Sequence, residues 1–264
     1  MKLNGFPIIG LMLVLFNSLN AQEMTAREIV DRYDARDDGH TLEQDILMVL
    51  VDKHGNQRVR EIKSYEKKYG LDEYRVMFFK SPTDIQNTGF LTYDYKDKTK
   101  DEKQWLYLPA IKKVKRIPST DKSSSFMGSD FSYFDMTNRN LDAYSYKILK
   151  ETMVKGDKVW VIEAIPNTEE EIEESGYTKS ILLIRQNDYV GVRGIFYMKN
   201  NKTKFLDVKE MHLQNGIWVY DKVSMTTKKG KHTIHKTFLI NSNIKVNQPI
   251  EDVVFTSRRL IKGA

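Results

Sequence analysis

Five histidines, His40, His54, His212, His232 and His235, are the first residues to test for chemistry. His232 and His235 stand three apart in a stretch patterned as a strand. Successive strand side chains point to opposite faces, so the two cannot chelate one metal there. No H-E-x-x-H and no carboxylate-rich calcium loop occurs. The chain has no cysteine, which excludes disulfides and thiolate metal sites. Nucleophilic catalysis needs a hydroxyl beside a histidine and an acid. Gly128-Ser129-Asp130 lacks the second glycine and the strand-turn-helix setting of a nucleophile elbow. Neither G-x-G-x-x-G nor a P-loop is present. The expectation is a non-enzyme without metal or cofactor. Triads do assemble from distant positions, so a hydrolase of envelope lipids stands as a third reading.

What remains is apolar. Tryptophans, tyrosines and phenylalanines recur along segments patterned as strands, where they ordinarily form core or cross-strand pairs. Methionines such as Met48, Met77 and Met127 suit either core gaps or an adaptable greasy wall. Ser119 to Asn140 has no strand pattern, yet carries Phe126, Met127, Phe131, Tyr133 and Phe134. Five large apolar groups argue against disorder, and long loops in compact domains tend to be functional. The segment is expected to fold against a sheet as a lid or plug. Gly128 supplies a backbone angle that other residues resist. Asp130 is placed to cap the turn after it, with Ser129 as the competing cap.

The elements that would position these groups are nearly all strands. Thr25 to Ala35 predicts a helix, with Thr25 and Glu28 forming a capping box. From Glu43 onward, alternating segments are punctuated by turns such as His54-Gly55-Asn56, Gly156-Asp157 and Asn215-Gly216. The tally is about eleven strands in one antiparallel sheet, with no helix long enough for parallel crossovers. A sheet of that size curls. Ile46 to Val51 is apolar on both parities, so which parity faces inward stays open. The acidic run Glu169 to Glu174 is a solvated loop or short exposed helix, with a docking patch for a basic partner as the sharper alternative.

The first residues set the compartment. Lys2, an apolar run from Ile8 to Phe16 and a small residue at Ala21 have the form of a signal peptide cleaved near Ala21, although Leu19 is unusual three positions before such a cut. The alternative is an uncleaved N-terminal anchor. The expected organisation is a leader over 1–21 and one domain over 22–264. Export without cysteine fits a bacterial periplasm. Net charge is +6, of which Lys2 contributes one. The basic residues are interspersed with acids, which suits transient contact with an anionic membrane surface better than nucleic acid.

Trp105-Leu106-Tyr107-Leu108-Pro109-Ala110, Lys115-Arg116-Ile117, Phe126 to Tyr133 (FMGSDFSY) and Val253-Val254-Phe255-Thr256 together resemble the outer-membrane lipoprotein-sorting family, the LolA-like group in its broad form. The resemblance implies an incomplete, strongly curved antiparallel barrel, a half-barrel closed by helices and loops, whose hollow holds lipid or lipoprotein acyl chains on their way to the outer membrane. It brings no catalytic residue. It also suggests an inner-membrane exporter of the resistance-nodulation-division or ABC type as partner, and a monomer. An accessory or adaptor of such an exporter, without a carrier role, is the alternative. The candidate lipid-binding residues are Met48, Leu50, Met77, Phe79, Leu91, Trp105 and Tyr107 on strands, with Phe126, Met127, Phe131 and Tyr133 on the plug segment.

Overall fold

A computed structural model of the chain describes residues 23–97 and 99–263. The expected leader lies outside the described residues. Helix α1 (Ala26–Asp34) begins as its sequence predicts: Thr25 and Glu28 form the reciprocal capping box. Ile29 and Val30 on its apolar side are buried.

The strands are β1 (Thr41–Asp52), β2 (Gln57–Tyr69), β3 (Asp72–Ser81), β4 (Gly89–Asp94), β5 (Lys103–Leu108) and β6 (Lys113–Ile117), then β7 (Tyr144–Val154), β8 (Asp157–Pro166), β9 (Lys179–Arg185), β10 (Gly191–Met198), β11 (Lys202–Gln214), β12 (Ile217–Lys229) and β13 (His232–Val246). Helix α2 (Glu169–Ser175) interrupts β8 and β9, and α3 (Ser257–Lys262) ends the described chain. All thirteen strands join one antiparallel sheet, where about eleven were expected. The charged segments β6 and β7, both expected as strands, form the two edges although they bury few side chains.

Strand order follows from one extra pairing. Neighbours in sequence are neighbours in space from β1 to β6 and from β7 to β13, and β13 then pairs with β1. That leaves β6 and β7, consecutive in the chain, at opposite edges of an open sheet. Residues 118–143 must carry the chain from one edge to the other.

The sheet is rolled. Buried Leu106 of β5 and Phe196 of β10 belong to one apolar cluster, although eight strand spacings separate their strands. In a flat sheet that distance would be ~38 Å. The same cluster holds Phe126, Phe131, Phe134 and Met136 from the crossing segment, so the crossing runs through the inside of the roll. Helix α1 covers the inner face of β8 and β9, where Ile29 and Val30 meet Ile162 and Ile184.

Strands β3 to β5 are covered on both faces. Met77, Phe79, Phe90 and Leu106 face inward. Val76, Phe78, Leu91 and Tyr107 face outward, under Ile250, Phe255 and Leu260 of the C-terminal segment. A tyrosine ladder runs beside them, with ring centroids 4.5 Å apart for Tyr69 and Tyr74 and 4.0 Å for Tyr74 and Tyr93. The tail lies so close to the sheet at Gly89 that an added Cβ would stand 2.6 Å from the Leu260 side chain. Two covers explain why these strands are apolar on both parities.

Leu260→Ala is expected to lower unfolding free energy by about 2–5 kcal/mol, because the residue is fully buried between tail and sheet. Urea unfolding followed by tryptophan fluorescence measures it. An unchanged midpoint would place the tail outside the cooperative unit.

Candidate functional site

The crossing segment is a plug built from local turns. Short 3-10 turns occur at Ser119–Asp121, Phe126–Gly128 and Phe134–Met136. Met127 and Gly128 both take positive φ, 51° and 73°. An added Cβ at Gly128 meets nothing within 4 Å, so the glycine serves backbone freedom and not space. This turn lets the Phe126 amide donate to the Phe131 carbonyl at 2.8 Å. The two phenylalanines are thereby held on the same buried side.

Ser129 does the local capping: its hydroxyl donates to the Phe126 carbonyl at 2.7 Å and accepts from the Phe131 amide at 3.2 Å. Asp130 does not cap the next turn, contrary to the expectation from sequence. With the local donor taken, its buried carboxylate crosses to the sheet. It accepts hydroxyl bonds from Thr227 of β12 and from Thr237 of β13, the latter at 2.7 Å. Nδ1 of His235 lies 2.7 Å from the same carboxylate. The Asp130 amide donates to the Thr237 hydroxyl at 3.0 Å. Both hydroxyls are bonded to the carboxylate.

Other anchors hold the plug to the opposite half of the sheet. Arg60 of β2 donates to the Met127 carbonyl, Arg75 of β3 to the Met136 carbonyl at 3.0 Å and Gln104 of β5 to the Tyr133 carbonyl at 2.8 Å. Buried Lys122 pairs with both Glu102 and Glu174. Glu174 belongs to the acidic run, which forms α2 under a Thr168 cap. Glu171 accepts from the Tyr144 hydroxyl and Glu169 pairs with Lys199 at 2.7 Å. Three of these acids therefore have partners within the chain.

Beneath the plug lies a hollow of about 490 Å³. Ile46, Met48, Ile62 and Met77 line one side, and Leu182, Phe196, Leu206, Val223, Met225 and Leu239 the other. Phe126, Phe131, Phe134 and Met136 roof it. Polar groups border it, and most are paired. Arg75 lies 3.0 Å from Glu66 and 2.7 Å from Glu73. Burial pushes the Glu66 carboxyl upward against the pull of Arg75. Burial holds the Lys204 ammonium below its usual value, although Asp135 stands 3.7 Å away. The Tyr177 hydroxyl, raised by burial and then by Asp135, bridges the two. Among the described residues no cluster of three or more histidine and acidic side chains is arranged for a metal, and no helix is long and apolar enough to cross a membrane.

The candidate residues divide into three groups. Met48, Met77, Phe126 and Phe131 line the hollow. Leu50 and Phe79 belong to the same inner cluster, and Met127 and Tyr133 pack against it from the plug. Leu91, Trp105 and Tyr107 are on the outer face under the C-terminal segment, away from the hollow where the sequence reading places them. Their strands alternate normally, but both faces are greasy, so sequence pattern does not separate inward from outward parity at β4 and β5. The wall from Leu182 to Leu239 was missed. Its signal is alternation with polar neighbours, as in Lys222-Val223-Ser224-Met225.

A family model described as an uncharacterized protein matches residues 71–262, most of the chain. A DUF1329 family protein from Desulfovibrio piger is 26% identical, with a TM-score of 0.80, over 89% of this chain and 97% of that one. A Vibrio parahaemolyticus domain assigned to the outer membrane lipoprotein-sorting proteins is 28% identical, with a TM-score of 0.80, over 89% and 98%. A LolA superfamily protein from Nitrosomonas europaea shares the fold at 14% identity and a TM-score of 0.66, over 89% and 99%. No curated protein matches the chain.

Asp130→Asn should loosen the plug, because an amide cannot accept from two hydroxyls and face a histidine as a carboxylate does. A loss of about 1–3 kcal/mol is expected. In hydrogen exchange the Phe126 amide should exchange at least tenfold faster while β3 stays protected. Equal protection in both proteins would show that the carboxylate does not hold the plug.

Proposed function

From the premise that this chain belongs to the DUF1329 family, within the LolA-like group of outer-membrane lipoprotein-sorting proteins, we propose that it is a periplasmic carrier of lipid or lipoprotein acyl chains bound for the outer membrane. The observation that carries this reading is the hollow: aliphatic and aromatic side chains make most of its walls and roof, and its volume is in the range of sites that enclose a small ligand. A mostly apolar pocket with a few polar groups at its border is the usual form of a site for a greasy ligand. Each methylene exposed to water costs about 0.8 kcal/mol, so a chain of sixteen carbons crossing the periplasm bare would cost roughly 12 kcal/mol. A rolled sheet with a greasy hollow offsets that cost.

The role asks for a cover that opens without unfolding the sheet. The plug is joined to β2, β3 and β5 on one side and to β12 and β13 on the other. Release of one set of anchors would lift it while the strand ladders persist. Four methionines, Met48, Met77, Met136 and Met225, line the hollow and suit guests of varied shape. An inner-membrane exporter would load such a carrier, and the interspersed basic residues would favour brief contact with an anionic bilayer.

Native mass spectrometry after incubation with lipid vesicles tests the reading. The wild-type chain is expected to carry lipid. Phe131→Asp, which puts a charge in the roof, should abolish uptake while melting stays cooperative. Leu91→Ala should lower stability by about 2–5 kcal/mol and leave uptake unchanged, because Leu91 faces the tail. Uptake unaffected by Phe131→Asp would reject the hollow as the binding place.

A further inference from the structure

One polar residue of the hollow stands apart. Arg36 follows α1 and lines the cavity, and its Nε and Nη1 are buried without a hydrogen-bond partner. The acids around it are engaged elsewhere. Asp34 pairs with Lys96, Asp37 accepts the Gly39 amide and Asp38 pairs with Lys68. Glu66 holds Arg75, and Arg193, which shares the cavity, holds Asp207 at 2.6 Å. Among the described residues Arg36 forms no ion pair. The contrast with Arg139 is instructive, since that guanidinium also lacks a carboxylate but is enclosed by the rings of Phe134, Tyr144, Tyr177 and Phe196. Arg36 has the Tyr33 ring at 5.9 Å and bonds the Tyr220 side chain, which leaves Nε and Nη1 as its unpartnered donors.

A guanidinium cannot shed its proton, so burial cannot be relieved by neutralisation. Leaving its donors unmade costs free energy for as long as the site is empty. The fork of N–H groups matches a phosphate or carboxylate, and these charge-assisted bonds are the strong ones. An acceptor completes the site. Asn241, which lines the same hollow, donates to the Tyr220 carbonyl at 2.7 Å, and its own side-chain oxygen is buried and unpartnered. Donors for an anion and an acceptor for a hydroxyl or amine suit a phosphodiester with a polar alcohol attached.

We propose that Arg36 and Asn241 form a headgroup site for an anionic phospholipid, with Arg36 on the phosphate and the lipid tails in the adjoining apolar hollow. This rests on the carrier reading above and adds a class of cargo to it. A neutral acylglycerol would fill the hollow and leave Arg36 bare; a phospholipid would satisfy both ends of the site.

The test loads the full chain from vesicles containing either phosphatidylglycerol or diacylglycerol of the same tails, and counts bound lipid by native mass spectrometry. Phosphatidylglycerol is expected to bind tighter by about tenfold or more. Arg36→Gln should erase the preference while leaving diacylglycerol uptake unchanged. Arg36→Lys should keep only part of it, since an ammonium is not a fork. Asn241→Ala should weaken phosphatidylglycerol alone, which keeps the test open should the Arg36 variants fold poorly. Equal binding of the two lipids by the wild type, or a preference that survives Arg36→Gln, overturns the headgroup site and leaves the carrier reading intact. Uptake of neither lipid overturns the carrier reading itself. A parallel titration with inorganic phosphate separates the remaining source: saturable binding that needs Arg36, without lipid uptake, would make this a free-anion site and overturn the phospholipid assignment.

Discussion

The structure depends on one topological constraint. Strands β6 and β7 are consecutive in the chain yet lie at opposite edges of a rolled, open sheet. The connection between them has no route that avoids the interior except a long detour around the outside. Crossing inside costs desolvation of its backbone, and the chain offsets it in two ways. It places Phe126, Phe131, Phe134 and Met136 against the wall, and it satisfies exposed carbonyls with Arg60, Arg75 and Gln104. A connection becomes a roof because the fold requires it to pass there.

The charges buried under that roof follow from the same geometry. A segment that touches both halves of a sheet must be positioned, and greasy contacts are non-directional. Asp130 on β12 and β13, and Lys122 between Glu102 and Glu174, supply direction. Each is costly to bury and costlier to break from one side, because the partner is then left stranded. Such anchors contribute little net stability but fix the register of the crossing.

Much of this was legible in the sequence. The capping box of α1 and the glycine and asparagine turns are encoded within a few residues, and the plug declared itself as a run of aromatics without strand period. Inward and outward parity on β4 and β5 was not legible. Alternation marks a buried face only when the other face is wet, and here the tail covers Leu91, Trp105 and Tyr107 from outside. The role of Asp130 was hidden for a different reason. Its hydroxyl donors are 97 and 107 residues away, and nothing local distinguishes such an acid from a turn cap. Arg36 was likewise silent, since nothing local marks which of its donors the fold leaves unbonded.

The open seam between β6 and β7 has a mechanical meaning. In a closed barrel, strand number and stagger fix the circumference, and with it the bore. Here no ladder of hydrogen bonds spans the gap, so the circumference is not quantised and the bore can breathe by small changes in twist along the roll. Both margins carry exposed charged side chains of the kind that discourage pairing with another strand, Lys113, Lys115 and Arg116 on one and Lys147, Lys150 and Glu151 on the other. The protein thus resembles a spring clip more than a tube, with grip set by curvature and not by a fixed diameter.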